Sequence, residues 1–263
     1  MSSSKLQGEL WSARAREWAE LQEGSFRPLY EAAFAAARIG PGASLLDVGC
    51  GAGLALQIAK ARGATVTGLD AAHALAEIAR GRCPGSDVRL GDSEALPFPD
   101  ASFDVVTGFN SFQFAADPVR ALAEARRVTG PGGCVVIAVW GERERCQLAP
   151  YLAAVARFMP PPPPGAPGAP GPFALSAPGS LEALAGQAGL KPERVQTVTT
   201  TMRFPNESTA LRGLLASGAV ERAIRISGED MVRGGIAEAI RPCRQSDGSY
   251  AFSNEWRFLL SRV

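Results

Sequence analysis

Between residues 44 and 140 the chain repeats one pattern: a short apolar run, a helical stretch, then another apolar run. The runs at 44–48, 65–69, 88–90, 103–109 and 134–140 are too short for helices, and all but the three-residue run at 88–90 carry apolar residues at odd and even positions alike. Helical periodicity fills 52–62, 74–81 and 118–129 between them. A strand that is apolar on both faces has no side to give to water, so its sheet must be covered twice. Strands joined through helices run parallel, and their crossovers are right-handed. The chain is thereby confined to an open α/β sheet wound on both faces.

The flanks add to that sheet. Leu10, Trp11, Arg14 and Trp18 recur three or four apart on one face of a first helix, and Leu29, Ala33, Phe34 and Ala37 form a second stripe. Gly40-Pro41-Gly42 stops the second helix. Residues 160–172 hold eight prolines in thirteen positions, which excludes helix and central strand and leaves an extended strap. Helix returns at 180–189 with Ser180 as its cap. Residues 193–204 alternate and are β-branched, 206–240 read as two helices broken at Gly228, and 248–263 close the chain as a strand. The expected layout is N-terminal helices at 1–40, a core at 41–141, a helix and Pro-rich loop at 142–178, and the rest of the sheet at 179–263, with a helical insertion near 205–245.

Composition removes several function classes. A net charge of +1 with 20% charged residues offers no electrostatic footprint for nucleic acid. One histidine and five cysteines without a C-x-x-C pair leave no zinc ribbon or thioredoxin-like motif, and no metal is expected. Scattered, odd-numbered cysteines suit a reducing compartment. The first twenty residues turn charged at once, and no run approaches the roughly 18 apolar residues of a membrane span. A cytoplasmic monomer or homodimer without nucleic-acid or membrane partners is the expectation.

The chemistry begins at Asp47-Val48-Gly49-Cys50-Gly51-Ala52-Gly53, where the first run of the core turns into a helix. Open α/β sheets bind ligands at such a turn, and glycine lets the backbone approach without a Cβ. A dinucleotide fingerprint needs G-x-G-x-x-G; here the third glycine comes one residue early and Leu54 takes its place. Pyrophosphate binding is thus the weaker reading.

The D-x-G-x-G-x-G spacing resembles motif I of the class I S-adenosylmethionine-dependent methyltransferases. Three further segments follow in that family's order: Val66-Thr67-Gly68-Leu69-Asp70, Gly91-Asp92-Ser93-Glu94-Ala95-Leu96-Pro97-Phe98, and Arg127-Val128-Thr129-Gly130-Pro131-Gly132-Gly133. GDSEALPFPDASFDVV is similar to the small-molecule branch, which includes the quinone-biosynthesis C-methyltransferases, while the Asn-Pro-Pro-Tyr motif of the amino-methylating nucleic-acid enzymes is replaced by Phe109-Asn110-Ser111-Phe112. The resemblance implies a Rossmann-like, seven-stranded, mostly parallel sheet with an antiparallel late strand, closed by N-terminal and inserted lid helices. It implies S-adenosylmethionine as cofactor, S-adenosylhomocysteine as product and a small-molecule acceptor, in a natural-product or quinone-like setting.

The same resemblance assigns roles. Asp70 takes the ribose hydroxyls, with Ala71 beside it; the bland alternative for Asp70 is a helix cap. Asp92 and Ser93 take the adenine. Gly49, Cys50 and Gly51 form the loop against the cofactor, and Asp47 organises that loop or reaches the cofactor's ammonium through water. Asn110, Ser111, Gln113 and Phe114 follow the fourth strand, where the methyl group should point. Phe109, Phe112, Phe114 and Trp140 are candidates for an apolar pocket floor. Trp11 and Trp18 are either core or a lid over the sulfonium, with Arg14 between them suited to the cofactor carboxylate. His73 reads as a surface residue, Asp104 as structural, and no general base is named. Methyltransferase folds also support chemistry without methyl transfer, such as cyclisation, or plain cofactor binding.

Overall fold

The computed structural model describes residues 3–160 and 172–263. One sheet of seven strands runs through them: β1 (Ser44–Val48), β2 (Thr65–Asp70), β3 (Asp87–Leu90), β4 (Phe103–Phe109), β5 (Thr129–Trp140), β6 (Lys191–Phe204) and β7 (Tyr250–Arg262). Their order is β3-β2-β1-β4-β5-β7-β6. β1, β2, β3, β4 and β5 are parallel, whereas β7 is antiparallel to both β5 and β6. The strand order reverses at β1, leaving a crevice above the carboxyl ends of β1 and β4.

The helices, in chain order, are α1 (Ser3–Ser12), α2 (Ala15–Glu17), α3 (Arg27–Ala36), α4 (Leu54–Ala61), α5 (His73–Arg82), α6 (Pro118–Val128), α7 (Ala149–Ala156), α8 (Ser180–Gln187), α9 (Glu207–Leu214), α10 (Gly218–Ser227) and α11 (Glu229–Ile240). Successive strand residues point to opposite faces. Leu45, Val105 and Val136 therefore pack in one core with Phe34 of α3, Leu56 of α4 and Ala76 of α5. Leu46, Val106 and Val135 pack in the other with Leu122 of α6 and Leu181 of α8. Both-face burial is what the apolar runs required. β7 is central as well, which buries Trp256, Phe258, Leu259 and Leu260 consecutively enough to hide its alternation.

Several local expectations change. The first helix ends at Ser12; Arg14 leaves helical geometry (φ −131°, ψ 40°), and the chain resumes through α2 and a π-helical turn at Trp18–Gln22. One continuous face carrying Leu10, Trp11, Arg14 and Trp18 does not exist. Ser180 is not the cap of α8: Gly179, in left-handed geometry at φ 80°, holds that position, and the Ser180 hydroxyl donates to the Ala177 carbonyl. Residues 206–240 form three helices, since Ser217 caps α10 by accepting from the Val220 amide, in addition to the break at Gly228. Most of the proline strap falls outside the described residues. No helix among the described residues is long and apolar enough to cross a membrane.

Candidate functional site

The glycine loop is held from beneath by the next strand. Gly49 and Cys50 donate their amides to the Leu69 carbonyl at 2.7 and 3.1 Å. Gly49 has φ +75°, and a Cβ there would lie 2.4 Å from Cβ of Ser111, so only glycine fits between loop and β4. Asp70, at the end of β2, accepts from the Gly51 amide through Oδ2 and from the Ala72 amide through Oδ1, both at 2.8 Å. Each carboxylate oxygen thus spends one bond on the protein and retains capacity for another. Burial raises the Asp70 pKa.

Asp47 does not hold the loop amides. It is buried under the loop, where Thr107 of β4 donates to its Oδ1 at 2.6 Å, and Asp70 takes the organising role expected of it. Burial pushes the Asp47 carboxyl up to about 7, with smaller contributions from Asp70 and Glu23, against the Thr107 hydrogen bond. An unfolded aspartate releases its proton near pH 4. The folded chain keeps it to about pH 7, so stability is fully present below about pH 4 and falls as pH rises towards 7. Glu23 and Asp70 are shifted in the same direction. Urea denaturation should give a lower unfolding free energy at pH 8 than at pH 5, with Asp47→Asn flattening the difference. Equal values at both pH values for the unaltered chain would contradict this.

A lid made by the N-terminal segment closes over the loop. Gly8 of α1 lies flat on the turn after β2; a Cβ there would be 2.3 Å from the Ala71 carbonyl oxygen. Glu23, 2% exposed, pairs with Arg82 of α5 and accepts from the Leu54 amide at 3.3 Å, capping the first turn of α4. Arg82 also donates to the carbonyls of Ala52 and Ala19, at 3.1 and 3.0 Å. The lid is thereby tied both to the exit of the glycine loop and to α5.

Beneath it lies a cavity of about 950 Å³, counting its opening to solvent. Its two ends differ. On the β2–β3 side it is lined by Gly49, Gly51, Asp70, Ala71, Asp92 and Ser93. On the β4–β7 side its walls are Phe26, Tyr30, Phe109, Phe114 and Trp256, with Trp11 and Trp18 above. These rings form a connected set: Trp11 meets Trp18 edge-on at 5.1 Å between centroids, Phe26 meets Trp256 at 4.9 Å, and Tyr30 meets Phe109 at 4.6 Å. Asn110 and Ser111 line the junction; Asn110 holds φ +54° and accepts from the Gln113 amide, while the Ser111 hydroxyl donates to the Val48 carbonyl.

Other expected site residues stand elsewhere. Arg14 turns away and pairs with Glu229 of α11 at 2.7 Å, because α1 ends before it. Cys50 points down, into the space left by the missing side chain of Gly68; a Cβ there would be 2.9 Å from its Sγ, so only its backbone belongs to the loop. Gln113 stands behind Asn110 rather than in the lining, and Phe112 is buried below. Trp140 lies behind the floor, stacked on Trp256 at 4.1 Å, and Trp256 takes the place in the cavity lining. His73 is on the surface, 3.5 Å from Glu77, outside the cavity. Asp104 accepts from the amide and hydroxyl of Ser44, which lower its pKa and clasp the far ends of β1 and β4. Phe26, Tyr30 and Trp256 were not expected, although Phe26, Tyr30 and Phe34 form an i, i+4, i+8 aromatic row that marks one helix face.

A methyltransferase-domain family model matches residues 46–137. The malonyl-[acyl-carrier protein] O-methyltransferase of Serratia marcescens is 30% identical over 213 residues, covering 78% of this chain and 76% of that protein. The demethylmenaquinone methyltransferase of Renibacterium salmoninarum is 40% identical over 98 residues, 37% of this chain and 41% of that protein. Among solved structures, a SAM-dependent methyltransferase from Aquifex aeolicus superposes with TM-score 0.52 at 19% identity, covering 69% of this chain and 90% of that one. The [4+2]-cyclase SpnF superposes with TM-score 0.55 at 20% identity, covering 89% and 80%. At such identities the structural likeness is one of fold, and it agrees with the strand order. With the sequence relationship spanning three quarters of both partners, the chain belongs to the class I S-adenosylmethionine-dependent methyltransferases.

Proposed function

We propose that this protein transfers a methyl group from S-adenosylmethionine to a small-molecule acceptor, a natural product or quinone-like aromatic, in the cavity beneath the lid. The observation that carries this reading is the division of one cavity into a carboxylate-bearing end over β2–β3 and an aromatic end over β4–β7, meeting at the glycine loop. The residues fit the cofactor: Asp70 lines the cavity with a carboxylate already oriented by two amides, and Gly49 keeps the loop free of side chain.

In this reading Asp70 accepts the ribose hydroxyls, with Ala71 beside them, and Asp92 and Ser93 face the adenine. When bound, the cofactor supplies a methyl group on a positively charged sulfur, open to in-line displacement. The chain aligns the acceptor with that methyl and excludes water, which are the main contributions a protein makes to such a displacement. Trp11 and Trp18 add aromatic surface that favours a cation and seals the cavity from above. Asn110 and Ser111 form the boundary between the two ends.

Calorimetry tests the cofactor half directly. S-adenosylhomocysteine should bind with one-to-one stoichiometry, and NAD should give no measurable heat. Binding of NAD without S-adenosylhomocysteine would overturn the proposal.

A further inference from the structure

The aromatic end of the cavity contains one unusual polar atom. Tyr30, on α3, is 6% exposed and lines the cavity, yet its hydroxyl has no hydrogen-bond partner among the described residues. A tyrosine hydroxyl in an apolar wall normally finds a partner; this one, with none among the described residues, opens on the cavity. The other rings on that wall, Phe26, Phe109 and Trp256, hold Tyr30 in place: Phe26 lies nearly parallel at 6.3 Å, Phe109 meets it edge-on at 4.6 Å, and Trp256 packs on Phe26. A ring so fixed presents its oxygen at a defined point.

The place of that oxygen follows from the sheet. Asp70 ends β2 and Asp92 follows β3, on one side of β1. Phe109 ends β4, and Trp256 of β7 pairs in register with Trp140 of β5, so Tyr30 and its neighbours belong to the other side. A ligand whose nucleoside end sits at Asp70 leaves this half for a second molecule.

Charge narrows what that molecule is. Among the described residues, no lysine, arginine or histidine lines the cavity. Arg14, which lies between the lid tryptophans in sequence, is engaged by Glu229. A carboxylate brought into this half would be desolvated with no counter-ion, which is costly. A flat, uncharged ring instead gains apolar and aromatic contact.

We infer that Tyr30 is the polar contact for the acceptor, and that the acceptor is an uncharged hydroxylated aromatic whose oxygen hydrogen-bonds the Tyr30 hydroxyl. The inference rests on the proposed cofactor placement and extends it to the acceptor's chemical class. Burial and the nearby Glu23 and Asp47 carboxylates raise the Tyr30 pKa well above its ordinary value, so the hydroxyl stays protonated and serves as a hydrogen-bonding group. It is thereby a discriminating residue for the acceptor and is not offered as a base.

The full chain saturated with S-adenosylhomocysteine should be titrated with 1-naphthol, naphthalene and 1-naphthoate, following tryptophan fluorescence and heat. The expected result is binding of 1-naphthol in preference to 1-naphthoate. Tyr30→Phe, which removes a single oxygen, should weaken 1-naphthol about 5- to 30-fold, on the scale of one buried hydrogen bond. Naphthalene and S-adenosylhomocysteine affinities should not change, which also shows that the variant is folded. Absence of 1-naphthol binding to the loaded chain, a Tyr30→Phe variant that binds it equally well, or preference for 1-naphthoate each overturns the inference while leaving the cofactor reading intact. Failure of S-adenosylhomocysteine itself to bind overturns both.

Discussion

Asp70→Ala should weaken S-adenosylhomocysteine by about 30- to 1,000-fold in calorimetry. The carboxylate is proposed to accept from two ribose hydroxyls, and hydrogen bonds to a charged group are worth about 1.5–3 kcal/mol each when removed. Water refilling part of the gap brings the net loss to about 2–4 kcal/mol, at 1.4 kcal/mol per decade. The structure adds a second component, because the same side chain receives the Gly51 and Ala72 amides. Asparagine does not rescue it well. An amide has one acceptor oxygen, so its NH₂ group must face one of those two donors, and Asp70→Asn should lose nearly as much as alanine. An Asp70→Ala variant within threefold of the unaltered affinity would remove Asp70 from the cofactor site.

The second large effect is expected at Glu23. Glu23→Ala leaves the Leu54 amide without its acceptor and Arg82 without its partner under the lid. Breaking a buried ion pair by removing one member costs about 3–5 kcal/mol. Arg82 keeps 27% of its side chain exposed and still reaches two carbonyls, so water and those contacts recover part of that. A loss of about 2–4 kcal/mol in urea-induced unfolding is expected, together with weaker S-adenosylhomocysteine binding because the loop exit loosens. A stability change under about 0.5 kcal/mol would show that the pair does not latch the lid.

These two residues differ in how far their placement is legible in the sequence. Asp70 was legible because everything that places it is local: a strand of one period, a turn and a helix, with Gly51 only one strand and one helix earlier. Glu23 carried no signal. It lies in an irregular π-helical and 3₁₀ stretch, and its partner Arg82 comes from α5, so nothing in the spacing of residues 18–26 announces a buried carboxylate. Arg14 was misplaced for a related reason, since a helix assumed to continue past Ser12 would have kept it on the tryptophan face.

By itself the sequence determined the sheet, its double cover, the glycine loop and the carboxylates after β2 and β3. For strands joined through helices, burial on both faces points to parallel strands with helical crossovers, and the motif residues sit within a turn of a strand end. Tertiary structure alone decided the aromatic half. Tyr30 from α3, Phe109 from β4 and Trp256 from β7 meet only because β7 inserts antiparallel beside β5 and the N-terminal segment folds back across the crevice. Trp140 and Trp256 are equally apolar and pair in register, yet only Trp256 lines the cavity. Periodicity fixes which residues of an element share a face. Which of those faces meets the cavity depends on contacts between segments far apart in the chain, and those are made only in the folded core.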